Sequence, residues 1–327
     1  LSLITFTASF NASLYAQNLC LGSDTTICAG SAITIEVCPN TADTNVVFLN
    51  NLTTINLGDD QYSGIIPIGF SFTFYGNTYT QCLISSNGYI SFNTNTAGGF
   101  SPWNINAAVP NPALPRNTIM GPWQDYNPAA FGSNGIVGYT TIGSAPNRRF
   151  VVIYKDMFMF GTQQEGCSAI VLHETSNEIE VFLDEKPVVA WNNGAAIEAT
   201  HNNPGNAATV VPGRNFPTQW TASLDGQRWT PNGSNNYTVS PIPYRAYVLS
   251  NGPTMWQTTT GATINTNTPV LNITPNPTGG SNQIGYFINY SSCAVANLFT
   301  SDTTWVTVNN VTVSANGIDD ICSAGIG

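Results

Sequence analysis

Residues 63–92, SGIIPIGFSFTFYGNTYTQCLISSNGYISF, constrain the fold of this chain more than any other stretch. Ile66, Ile68, Phe70, Phe72 and Phe74 are apolar at every second position, and Gly69, Ser71 and Thr73 fill the gaps. A period of two puts alternate side chains on opposite faces, so the run predicts a half-buried β-strand. Gly76-Asn77 punctuates the chain, and a second strand runs through Cys82 and Ile84. Asn87-Gly88 tolerates positive φ, so residues 89–92 are expected to fold back as a hairpin.

The same grammar recurs along the chain. Helical periodicity is almost absent, and 29 Gly and 20 Pro among 327 residues punctuate short alternating runs. That pattern predicts an all-β chain built of β-sandwiches, and the length implies two or three domains. Residues 149–158 read as a central strand, 168–174 and 178–184 as a hairpin around Thr175-Ser176-Asn177, and 245–250 as a further strand. Residues 94–116, rich in Asn, Pro and Gly, read as a long surface loop.

Charge narrows the partners. Lys+Arg number 8 against 18 Asp+Glu, a formal net charge of −10. A chain so poor in cations does not grip phosphate backbones or anionic membranes, which argues against nucleic acid as a partner. No apolar run approaches the ~20 residues of a spanning helix, so no membrane insertion is expected.

The seven cysteines are dispersed, none forms a CxxC pair, and there are only two histidines, which argues against zinc. They read as disulfide candidates of an extracellular protein: Cys20, Cys28, Cys38, Cys82, Cys167 and Cys293, with Cys322 left as the odd one. Residues 1–17 admit two readings. One is the tail of a secretory signal peptide ending near Ala16-Gln17. The other is an N-terminal donor strand, with Phe6, Ala8, Phe10, Ala12 and Leu14 on one face, that completes another subunit's sheet.

Residues 18–40 and 245–315 carry short β patterns unlike those between them. Cys28, Trp256 and Cys293 follow the order of an immunoglobulin-like sandwich, with an early Cys, a core Trp and a late Cys, if residues 41–244 form a larger inserted sandwich. A separate C-terminal domain with a short N-terminal lead is the competing arrangement. Residues 316–327 read as the start of a next module or a tail.

FSFTFYGNTYTQCLISSNGYISF, GPWQD at 121–125, GIVGYTTIGSAPNRRFVVIY at 135–154, VLHETSNEIEVFL at 171–183 and VVPGRNFPTQW at 210–220 together resemble the nidogen-like β-sandwich. The resemblance is to its version in large secreted surface proteins of Bacteroidota, the gliding-motility-associated and type IX-secreted adhesins. SDTTICAG and SDTTWVTV are similar to the immunoglobulin-like repeats of such proteins. The resemblance implies architecture and a cell-surface location, and assigns no ligand. It also marks Thr25 and Thr303 as O-glycosylation candidates, since each follows an Asp in an Asp-Thr-Thr triplet.

Catalytic machinery is sparse. His173 reads as a structural or edge residue and His201 as a solvated turn residue, and neither lies in a nucleophile motif. A glycosidase needs two facing carboxylates, and the sequence singles out no pair among Asp125, Asp156, Glu174, Glu178, Glu180 and Asp184. Glu178 and Glu180 alternate with Ile179 and Val181, which reads as the solvent face of a strand. The chain is therefore read as a binder, not an enzyme. Loops at the end of a sandwich suit a carbohydrate, held by aromatic faces with amides and carboxylates bonding its hydroxyls. Trp103, Trp123, Asp125, Tyr126, Asn127, Trp191, Asn192 and Asn193 are the candidates. Core roles for Trp123 and Trp191 compete, and Trp103 is the best exposed aromatic. No cofactor is required. Calcium is possible at Asp59-Asp60, at Asp125 or at Asp319-Asp320, although Asp pairs are common in simple turns.

The expectation is an exported cell-surface adhesin or surface-fibre protein that binds glycans or surface proteins. The alternative is a structural subunit that self-associates into an extracellular filament by strand exchange through the N-terminal segment.

Overall fold

The computed structural model describes residue 21 and residues 23–36, 46–49, 51–233, 235–249, 254–260, 263–266, 270–292, 295–300 and 303–309. Among these, regular structure is β throughout, apart from single 3-10 turns at Thr94–Thr96 and Trp191–Gly194. No helix among the described residues is long and apolar enough to cross a membrane. Residues 1–17, Cys20, Cys38, Cys293, Asp319, Asp320 and Cys322 lie outside the described residues. The chain divides into two compact units, one of residues 39–254 and 291–298, the other of residues 1–38, 255–290 and 299–327.

The larger unit contains two large sheets and one strand pair. One has seven strands, in the order Tyr237–Ile242, Ala222–Pro231, Ile179–Lys186, Glu165–His173, Arg149–Phe158, Ile136–Ile142 and Thr53–Ile55. The other has six, in the order Ala208–Val210, Ile197–His201, Thr118–Trp123, Tyr89–Ser91, Asn77–Ile84 and Ile66–Phe74. The alternation in Ile66–Phe74 is realised residue by residue: Ile66, Ile68, Phe70, Phe72 and Phe74 are buried, while Pro67, Gly69 and Ser71 are exposed. Asn77–Ile84 and Tyr89–Ser91 pair antiparallel, with Ile84 opposite Ile90, so the expected hairpin forms.

The sheets face each other across one core. Phe72, Phe74, Ile90 and Ile119 from the six-stranded sheet meet Phe150, Ile170, Leu172 and Val181 from the seven-stranded one. Each such side chain, fully buried, contributes about 1.5–3 kcal/mol. The sheets approach closely at Gly121, where an added Cβ would lie 2.9 Å from Ile170 and 3.0 Å from Val181.

Both sheets are also covered on their outer faces, which alternation alone does not reveal. Leu83, Tyr89, Met120, Trp123, Ile197 and Ala199 point away from the main core into a second cluster. Residues 94–116 supply its lid. They lack strands, as expected of a loop, yet Ser101, Ile105, Val109 and Leu114 are buried, so the stretch is a packed cover and not merely a surface loop. On the seven-stranded sheet, the Ala246–Leu249 strand pairs parallel with Val46–Leu49, and Tyr244 and Tyr247 pack their rings against Phe182.

The packing of the larger unit corrects three expectations. Glu180 is not on a solvent face: it is buried and holds Arg228 and His173, at 2.5 and 3.0 Å. His201 is not a solvated turn residue: it is the buried last residue of Ile197–His201, with Nδ1 2.7 Å from the Pro115 carbonyl and Nε2 accepting from the Asn111 N–H. Cys82 is not a disulfide partner: it is a free thiol pointing into the main core. Cys28 and Cys167 each take part in a disulfide.

In the smaller unit, Thr25–Cys28 runs parallel to Thr304–Asn309, which pairs with Gln283–Ser292. Ile33–Glu36 pairs antiparallel with Val270–Ile273. Trp256, Tyr286, Ile288 and Val306 are buried in it.

Candidate functional site

One end of the larger unit gathers loops from distant parts of the sequence. The strand Thr118–Trp123 delivers Gln124 and Asp125 to that end. The turn at Asn87-Gly88 sits beneath them: the Asn87 carbonyl accepts from the Gln124 N–H and its Oδ1 from the Tyr126 N–H. Gly88 has φ +79°, and an added Cβ would lie 2.1 Å from the Pro122 carbonyl oxygen, so only glycine lets the two segments approach. On the other side the Phe160 N–H donates to the Asp125 carbonyl, tying in the turn between Arg149–Phe158 and Glu165–His173.

Asp125 is 4% exposed. Its Oδ2 accepts from the Trp191 indole Nε1 at 2.6 Å, and Oδ1 has no partner among the described residues. Trp191 opens a tight turn in which Asn192 and Asn193 take left-handed φ of 49° and 53°, a conformation that Asn tolerates better than most residues. Its ring leans on Trp103, with centroids 5.8 Å apart, and on Phe160 at 4.9 Å. The Asn192 amide donates to the Trp103 carbonyl. Trp191 remains 42% exposed, whereas Trp103 is half-buried, so Trp191 offers the freer aromatic face.

Asp59 and Asp60 arrive from the segment before Ile66–Phe74. One carboxylate oxygen each from Asp59, Asp60 and Asp125 lie within 4.8 Å of one another. Among the described residues none of the three has an ion-pair partner. Burial pushes the Asp125 carboxyl up to about 7; the indole bond opposes this, and the charges of Asp60 and Asp59 add to it. Asp59 and Asp60 are also raised, in both cases mainly by burial. Three acids without a base could hold a hard cation, and beside an aromatic cluster they form a surface able to meet hydroxyls and sugar rings.

The fold thus brings together Asp59, Asp60, Trp103, Asp125, Trp191 and Asn192. Trp123 and Tyr126 lie beneath the rim, fully buried, with the Trp123 indole donating to the Pro102 carbonyl. Asn127 is half-buried and lines a shallow groove with Phe131, Phe160 and Thr162. Sequence reasoning missed Phe160, whose signal is an aromatic residue just before the polar turn GTQQ, and Asn87, read only as a turn residue. The other carboxylates named above are engaged in the fold. Glu174 pairs with Arg148, Asp156 with Lys155, and Glu180 with Arg228; Asp184 accepts from Tyr244 and Glu178 from Thr230.

A family model described as NIDO related matches residues 38–240. The chain belongs to this NIDO-related family. The matched region holds all but the last two residues of the two large sheets and every residue of the rim, and its all-β architecture is the nidogen-like sandwich that the motifs at 70–92 and 121–125 resemble. No curated protein matches the chain.

Proposed function

We propose that the chain is an exported cell-surface adhesin whose NIDO-related domain binds carbohydrate at the Trp191 rim without turning it over. The observation that carries this reading is the half-exposed Trp191 indole, braced by Trp103 and Phe160 and tethered to Asp125. An indole face packs against the C–H surface of a sugar, and adjacent carboxylates and amides bond its hydroxyls. The brace fixes the ring before the ligand arrives, which lowers the entropy cost of binding. Engagement of the other candidate carboxylates in ion pairs and hydrogen bonds favours binding over hydrolysis.

The test is a glycan array followed by calorimetry on the purified chain. Trp191→Ala is expected to weaken the best ligand at least tenfold, and Trp103→Ala to weaken it less, since Trp103 buttresses the ring. A chain that binds no glycan, or a Trp191→Ala variant that binds as the parent does, overturns the reading.

A further inference from the structure

We propose that Asp59, Asp60 and Asp125 hold a divalent cation, calcium, in the NIDO-related domain. Acidic residues often cluster in turns without an ion, so the argument turns on Asp125. Unlike the other two, it is almost wholly buried, at 4% exposure. One of its oxygens is taken by the Trp191 indole, and the other has no partner among the described residues although it is shut away from solvent. A buried carboxylate oxygen without a donor is unfavourable unless something positive meets it. Among the described residues no Lys or Arg pairs with Asp125. What faces it is instead two more carboxylates.

The spacing admits the ion. The three oxygens lie within 4.8 Å of one another. Oxygens that share a calcium ion at its usual bond lengths lie no more than about 5 Å apart, so the three are close enough to share one. Calcium is preferred because it readily takes several protein carboxylates, whereas magnesium keeps most of its waters. The ion would join the segment that carries Asp59 and Asp60 to the end of the strand Thr118–Trp123, and would neutralise charge on a strongly acidic chain. Binding of the ion does not depend on sugar recognition at the rim, so the two readings fail separately.

The experiment uses terbium as a luminescent stand-in for calcium. Trp191 is hydrogen-bonded to a proposed ligand, so it sits close enough to sensitise terbium emission. The full chain, freed of metal by chelator, is titrated with terbium under tryptophan excitation. Saturable emission that calcium displaces is expected, with a calcium dissociation constant on the order of 0.1–1 mM, as for extracellular modules. Calcium at about 10 mM is expected to raise Tm by a few degrees. The double variant D59N/D60N keeps amide oxygens at both positions and is expected to fold, to lose the emission and to lose the Tm rise. Asp125→Asn tests the third ligand, and Trp191→Phe is expected to dim the emission while keeping the Tm rise. Absence of calcium-displaceable emission, or emission and Tm rise that persist in D59N/D60N, overturns the proposal.

Discussion

Asn87 binds Asp60 through its side-chain amide, Nδ2 to Oδ1 at 2.9 Å, while its Oδ1 accepts from the N–H of Tyr126 at 3.0 Å. One buried side chain therefore fixes the distance between the segment bearing Asp59-Asp60 and the segment bearing Asp125. Its Nδ2 also reaches the Ser101 carbonyl, tying the cover of the six-stranded sheet to the same point.

Asn87→Ala should consequently do more than remove a turn residue. It strands a buried N–H at Tyr126 and a buried carbonyl at Ser101, each costing about 1–3 kcal/mol. A loss of about 2–4 kcal/mol is expected by urea denaturation. A loss below about 0.5 kcal/mol would show that the amide is not the tie described.

Gly88→Ala tests the neighbouring constraint. The new Cβ would fall 2.1 Å from the Pro122 carbonyl oxygen, at φ +79°. Neither the backbone nor the methyl can yield locally, so the segment leading to Asp125 must move. Destabilisation above about 2 kcal/mol is expected, with loss of the proposed glycan binding. Unchanged Tm and unchanged binding would contradict the close approach.

How much of this was legible in the sequence depended on how many faces of a strand are covered. Ile66–Phe74 has one buried face, so its period of two showed both the strand and its orientation. Ile179–Lys186 and Ile197–His201 are covered on both faces, and there alternation misleads. Glu180, set between Ile179 and Val181, looks solvent-facing until the Tyr244 and Tyr247 cover is known. The site residues were legible as types, namely loop aromatics and acidic turns. Their convergence was not, because Asp60, Trp103, Asp125 and Trp191 meet only through sheet order and loop packing, which no local pattern encodes.

Cys82 offers a check on the core assignment. It is fully buried and free, and burial pushes its thiol pKa well above the ordinary range. A thiolate is the reactive form, so Cys82 should resist alkylation in the native protein and react once urea unfolds it. Peptide mapping after iodoacetamide treatment measures this directly. Rapid native labelling at Cys82 would mean that the core around Phe72 and Ile84 opens readily.

Glu180 predicts the acid limb of stability. Burial acts to raise its pKa, but His173 and Arg228, both bonded to its carboxylate, more than offset this and bring it to about 2 from 4.5. A carboxylate whose folded value lies below its unfolded one stabilises the fold fully above the unfolded value. That contribution is lost as pH falls from about 4.5 through about 2. Its size is on the order of 3 kcal/mol, since a tenfold change in proton affinity corresponds to about 1.4 kcal/mol. Glu180→Gln removes the titrating group while keeping a hydrogen-bonding side chain. The variant should be less stable than the parent at neutral pH, and the gap should narrow steadily as the pH falls from about 5 to about 2. Urea midpoints taken across that range decide the matter: parallel curves for parent and variant would mean that Glu180, buried though it is, contributes nothing to the acid sensitivity of the fold.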